Sequence, residues 1–129
     1  MTLREVLHAH IPTLTRESTF RDAVDKMDVY QFPGLVIVDE DSRPTHVVTE
    51  GDLCRAVGQQ SGVLVLSDTP VVDFASPDPV CEGPDTEISD ALHLMLSRGI
   101  SVLPVVQENR LMGMLLRVDL MQALLMDVG

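Results

Sequence analysis

Leu35-Val36-Ile37-Val38, a polar turn, and then Val47-Val48-Thr49-Glu50-Gly51-Asp52 make two short apolar runs, the second leading directly into a charged stretch suited to opening a helix. The same order returns later in the chain. Leu103-Pro104-Val105-Val106 stands sixty-eight residues on, and Met114-Leu115-Leu116-Arg117-Val118-Asp119 sixty-seven on. Upstream of each pair lies an apolar set spaced i, i+3, i+4, i+7: Phe20, Ala23, Val24 and Met27 in one case, Ile88, Ala91, Leu92 and Met95 in the other. That spacing puts one apolar stripe on a helix, whereas the short branched runs suit buried strands. A unit repeated with this regularity is a structural duplication.

Each half therefore reads as strand, helix, strand, strand, helix, an α/β (α+β) arrangement. Pro12-Thr13-Leu14 and Pro79-Val80-Cys81 are the extended entries. Ser18 and Thr86, just ahead of the first helical positions, stand where an N-cap is expected. Asp39 to Pro44 and Gln107 to Arg110 are turns, and Leu53/Ala56/Val57 and Leu120/Ala123/Leu124 mark the closing helices. Thr2 to Leu7 and Pro70 to Ala75 predict equivalent lead-in helices. The organisation expected is a first repeat over 1–58, a connector over 59–69 and a second repeat over 70–129. Within the Gly58–Pro70 stretch, Val63-Leu64-Val65-Leu66 is too apolar for a free linker and is expected to pack on the module. A half of about 60 residues would be marginal alone, so the halves are expected to share a core.

Charge narrows the partners. Nine Lys and Arg against twenty Asp and Glu give a net −11, which argues against a nucleic-acid groove or an anionic membrane surface. No apolar run reaches the roughly 20 residues of a membrane-spanning helix, and the N-terminus lacks a signal-peptide pattern. Two cysteines, Cys54 and Cys81, are too few for a disulfide framework. The expected location is cytoplasmic.

The strand-to-helix junctions carry the chemistry. At Thr49-Glu50-Gly51-Asp52 a Thr at the N-cap and an acid at N3 form a capping-box pattern. The same geometry serves a ligand: free N–H groups attract an anion, and a carboxylate can accept two hydroxyls of a ribose. Elsewhere, His8-Ala9-His10 offers two metal-ligand types, but a zinc site needs three or four, so Cys81 or Cys54 would have to converge on them. Cys54 is otherwise expected to pack as a small apolar residue on its helix. No Ser/His/Asp order, glycine-rich phosphate loop or pair of catalytic carboxylates stands out, and an enzyme is not expected.

The two halves resemble cystathionine-beta-synthase-type (CBS) domains, and the chain resembles a tandem CBS pair, or Bateman module. The matching stretches are Phe32-Pro33-Gly34-Leu35-Val36-Ile37-Val38 with His46-Val47-Val48-Thr49-Glu50-Gly51-Asp52-Leu53, then Gly99-Ile100-Ser101-Val102-Leu103-Pro104-Val105-Val106 with Leu111-Met112-Gly113-Met114-Leu115-Leu116-Arg117-Val118-Asp119-Leu120. The resemblance implies two β-α-β-β-α repeats packed with pseudo-twofold symmetry through their small sheets. It also implies a regulatory module for an adenosine-bearing ligand, AMP, ADP, ATP or S-adenosylmethionine, assembled as a homodimer through paired helices.

Carried over residue by residue, the resemblance assigns one site to Thr49 and Asp52 with Val80, Cys81, Ile100 and Ser101. It assigns a weaker second site to Asp119 with Thr13, Leu14, Phe32 and Pro33. Both copies depart from the family signature. His46 replaces a glycine in the first, where it either obstructs the ligand or donates to it, and Leu116 replaces the hydroxyl in the second. Arg16, Arg55 and Arg117 lie near the candidate clefts. With so few cations a monophosphate or cationic S-adenosylmethionine is easier to hold than ATP without magnesium. Two other classes stand beside the sensory reading: a ligand-free dimerisation or partner-docking module, and a metal-binding stress protein.

Overall fold

The computed structural model describes residues 1–59 and 66–128. The chain divides into two compact units, Pro12–Pro79 and Met1–Ile11 with Val80–Gly129. The repeats read along the sequence are thus cut differently in space. Residues 1–11 join the unit of the second repeat, and residues 70–79 stay with the first, so the two lead-ins are exchanged.

In the Pro12–Pro79 unit the order is α1 (Phe20–Tyr30), β1 (Gly34–Val38), β2 (Pro44–Thr49), α2 (Glu50–Gln59), a single 3-10 turn over Val71–Phe74 and a short β3 (Ser76–Pro77). The strands form one antiparallel sheet, β1-β2-β3, with Leu35 opposite Val48 and Val47 opposite Ser76. The entry strand lies on the other edge: Leu14 N–H donates to Val36 O at 3.0 Å and Val38 N–H to Leu14 O at 2.8 Å. The other unit repeats the plan with a 3-10 turn at Leu3–Glu5, α3 (Ile88–Arg98), β4 (Val102–Gln107), β5 (Arg110–Leu116) and α4 (Arg117–Val128). Glu82 bridges Val105 in parallel, and His8 bridges Met114 antiparallel, in the place that Ser76 takes beside Val47. Both lead-ins are 3-10 turns, shorter than the helices expected.

Local chemistry explains the boundaries. The β4–β5 hairpin turns on Glu108 and Asn109, both with positive φ (53° and 65°), the two-residue turn whose twist matches paired strands. In the β1–β2 turn, Asp39 Oδ1 accepts the N–H groups of Asp41 and Arg43 at 2.9 and 3.0 Å. The N-caps are Thr19 and Glu87, one residue beyond those expected. Thr19 and Asp22 exchange side-chain-to-backbone bonds at 2.8 and 3.2 Å, while the hydroxyl of Ser18 accepts Thr15 N–H instead. α3 ends on Gly99 at φ 65°, a left-handed position that glycine adopts without a Cβ penalty.

Among the described residues each unit gathers an apolar core of its own. The first gathers Leu14, Phe20, Leu35, Ile37, Val48 and Leu53, with Phe74 edge-on to Phe20 at 6.1 Å between ring centroids. Leu66 joins this core; Val63, Leu64 and Val65 lie outside the described residues. The second gathers Leu3, Ile88, Met95, Leu103, Leu115 and Leu120. Leu3 and Val71 are each fully buried in the unit that their exchanged lead-in enters. Val24 and Val57, expected inward, are 42 % exposed, because the buried stripe of α1 narrows to Phe20, Ala23 and Met27 and that of α2 to Leu53 and Ala56.

Candidate functional site

β2 delivers Thr49 to the first turn of α2, where the two partners of the capping pattern meet. Thr49 N–H donates to Asp52 Oδ2 at 2.9 Å, and Asp52 N–H donates to Thr49 Oγ1 at 3.3 Å. Asp52 Oδ1 takes the guanidinium of Arg55, one turn along α2. The Asp52 side chain is 11 % exposed and that of Arg55 67 %, so a nearly covered carboxylate is held by a cation that reaches it from solvent. Glu50 N–H donates to Pro33 O at 2.9 Å and ties the loop before β1 to this junction. Phe32 and Pro33 accordingly line a shallow groove with Glu50, Leu53 and Cys54. Cys54 is exposed there rather than packed.

At the second junction, Leu116 N–H donates to Asp119 Oδ2 at 2.8 Å, but Leu116 has no hydroxyl to return the bond. Asp119 Oδ1 receives His8 Nε2 at 3.0 Å. The neighbouring Arg117 donates its Nε–H to Ile100 O at 2.8 Å. Ile100 and Val80 pack against the second core, Ser101 is exposed and Cys81 half-buried. Burial pushes the Cys81 thiol above its ordinary range, and the adjacent Glu82 adds to the shift.

His46 lies three residues before Thr49 on β2. It stands opposite Ile37 and Pro77 in the sheet and lines a separate cavity of about 290 Å³ with Arg16, Thr45 and the Asp39–Asp41 turn. Its Nδ1 donates to Thr45 Oγ1 at 2.9 Å, since the Thr45 hydroxyl hydrogen is given to Ile37 O at 3.2 Å. Thr13 offers its carbonyl to Lys26 Nζ at 2.9 Å. The Leu14 side chain is fully buried in the first core.

The candidate residues are therefore distributed as follows: Thr13, Leu14, Phe32, Pro33, His46, Thr49 and Asp52 fall in the Pro12–Pro79 unit, and Val80, Cys81, Ile100, Ser101 and Asp119 in the other. Two further partners, Arg55 on Asp52 and His8 on Asp119, were assigned no such role from sequence. The signal for His8 lay in the repeat itself, since His8 precedes Ser76 by the same sixty-eight residues that separate the lead-ins. Among the described residues no group of three or more His, Cys, Asp or Glu is placed to hold a metal ion. No helix among them is long and apolar enough to cross a membrane.

The CBS domain family model matches residues 3–59 and 71–126. An uncharacterized 17.7 kDa protein of Acidianus ambivalens is 32% identical over 108 residues, which are 83% of this chain and 63% of that protein, so the chain spans less than two thirds of its relative. The structure of CBSX2 in complex with AMP superposes with a TM-score of 0.85 at 22% identity, covering 99% of this chain and 98% of that one. The CBS domain pair of protein MJ0100, in complex with 5′-methylthioadenosine and S-adenosyl-L-methionine, gives 0.80 at 19% identity, covering 100% and 98%.

Proposed function

The chain belongs to the CBS domain family, and on that premise we propose that it is a cytoplasmic regulatory module whose Thr49–Asp52 junction takes the ribose of an adenosine-bearing ligand. The supporting observation is the junction itself: a hydroxyl and a nearly covered carboxylate are fixed in mutual register before any ligand arrives. Such preorganisation lowers the ordering cost of binding. The structural neighbours with AMP and with S-adenosyl-L-methionine supply the ligand class. In this reading Asp119 serves a second site. Arg55 is engaged by Asp52 and Arg117 by a carbonyl, so AMP or S-adenosylmethionine fits the supply of cations better than ATP without magnesium.

The helices carry the output. Leu96, Val118, Met121 and Leu125 are exposed on α3 and α4, and Val29, Tyr30 and Val57 on α1 and α2. These apolar faces support a homodimer, and a ligand that binds two dimer arrangements unequally would shift their populations.

A melting series with AMP, ADP, ATP and S-adenosylmethionine tests the ligand. A nucleotide specific to the folded state raises the melting temperature. No rise at millimolar concentration would leave the docking reading, which the internal engagement of both carboxylates favours.

A further inference from the structure

The two junction aspartates are satisfied from different sources. Position for position, Arg55 corresponds to Gln122 and Ser76 to His8, at offsets of sixty-seven and sixty-eight. Asp52 draws its second partner from its own helix, whereas Asp119 draws it from the exchanged N-terminal segment, 111 residues away. That segment is fastened. His8 N–H donates to Met114 O at 3.0 Å, and Met114 N–H returns a bond to His8 O at 3.1 Å. Gly113 permits the approach, because a Cβ there would collide with the His8 carbonyl and stand 2.6 Å from Leu7 Cδ1.

The backbone thus holds His8 beside this junction, and its imidazole, on a side chain 40 % exposed, stands on Asp119 Oδ1 while Leu116 N–H holds Oδ2. The Asp119 side chain is left 18 % exposed. A ligand offering a pair of vicinal hydroxyls to this carboxylate must move the ring first. The ring returns at the high effective concentration of a tethered group. The Arg55 side chain, by contrast, reaches Asp52 from the same helix and is 67 % exposed.

We propose that His8 is an intramolecular gate on the second site: it occupies Asp119 in place of a ligand's hydroxyls and makes the module bind unequally at its two junctions. This rests on the reading of Asp119 as a ligand residue, so the test separates the gate from that reading. Carboxylates of the full chain are coupled to methylamine with a carbodiimide and mapped by peptide mass spectrometry, with well-exposed Asp85 as the internal standard. AMP binding is read by calorimetry in an Asp52→Ala background, which isolates the second site, and in the wild type.

Losing one hydrogen bond to a charged group predicts a change of roughly tenfold. Asp119 labelling is expected to rise by about that factor in His8→Ala, and AMP is expected to bind His8→Ala/Asp52→Ala about tenfold tighter than Asp52→Ala. His8→Gln, which keeps an N–H donor, is expected to stay near wild type in both, and far-UV circular dichroism confirms that each variant folds. Equal labelling of Asp119 in wild type and His8→Ala overturns the gate. So does raised labelling without any gain in second-site affinity while the wild type binds AMP. Raised labelling with no AMP binding in any form upholds the contact and refutes the adenosine reading instead.

Discussion

Thr49 and Asp52 hold each other by two hydrogen bonds, the Thr49 N–H on the carboxylate and the Asp52 N–H on the hydroxyl. One pair of residues thereby starts α2 and shapes the candidate site. Replacing Asp52 by Ala removes the carboxylate that takes the Thr49 N–H and leaves the backbone N–H of residue 52 on the Thr49 hydroxyl. Losing this one bond of the pair costs about 1 kcal/mol, seen as a lower denaturation midpoint, and any nucleotide-dependent rise in melting temperature at this junction should vanish. Asp52→Asn, which keeps an acceptor, is expected to recover most of the stability.

Gly113 is the tightest point of the second sheet. Gly113→Ala forces the strand pairing of His8 with Met114 apart and should cost about 1–3 kcal/mol by the usual scale of overpacking. Urea melts give the size of the loss, and amide exchange at Met114 gives its location. Gly58→Ala, at a position with no neighbour within 4 Å of the added carbon, is the matched control.

Acid should unfold the Pro12–Pro79 unit partly through Asp22. The Thr19 N–H, then the Thr19 hydroxyl, hold this carboxyl below its ordinary 3.8. A depressed folded value means stability present above that ordinary value and lost as pH falls through the lower folded one. The side chain is exposed, so the contribution is small. Asp22→Asn should flatten the acid limb of a stability profile below about pH 4, and an unchanged limb would exclude the effect.

The cysteines should separate by reactivity. Thiolate is the nucleophile, and burial, with Glu82 beside it, pushes the Cys81 thiol further above its ordinary range, so it offers less thiolate. Iodoacetamide at pH 8 is therefore expected to modify exposed Cys54 well before Cys81, as peptide mapping would show. Saturating AMP should slow Cys81 further if the nucleotide covers it.

Charge placed on the exposed helices should break self-association. Leu96→Glu and Leu125→Glu alter side chains that lie outside the core, so each is expected to lower the mass found by light scattering while far-UV circular dichroism stays that of the wild type, and the melting temperature loses its dependence on protein concentration. A wild-type monomer at the same concentration would remove the dimer from the model.

Much of the fold could be read from period alone. Strand alternation and helix spacing marked β1, β2, α1 and their later copies, and Thr49 with Asp52 announced the cap. The exchange of lead-ins could not be read, because Leu3 and Val71 sit in turns of the same pattern and either would satisfy either core. The pairing of His8 with Asp119 was hidden for the same reason. The caps at Thr19 and Glu87 were misplaced by one residue. Thr19-x-x-Asp22 carried the reciprocal pattern, while Ser18 was diverted to a local turn. His46, expected either to obstruct the ligand or to donate to it, lines a cavity with Arg16 and Thr45; it stands three positions from Thr49, and an odd number of steps along a strand turns side chains to opposite faces.

The exchanged lead-ins also set an order of events during synthesis. Residues 12–79 are contiguous, so this unit has all its parts once that stretch has left the ribosome. The other unit draws on residues from both sides of that stretch, and Leu3 must wait for Ile88 and Leu120 before it is covered. Domains generally fold as they emerge, N-terminal parts first; here the segment around Leu3 is secured only after the residues 12–79 that follow it. A nascent chain from which residues 12–79 have emerged, and Ile88 and Leu120 have not, would carry Leu3 bare, the form that a chaperone would meet.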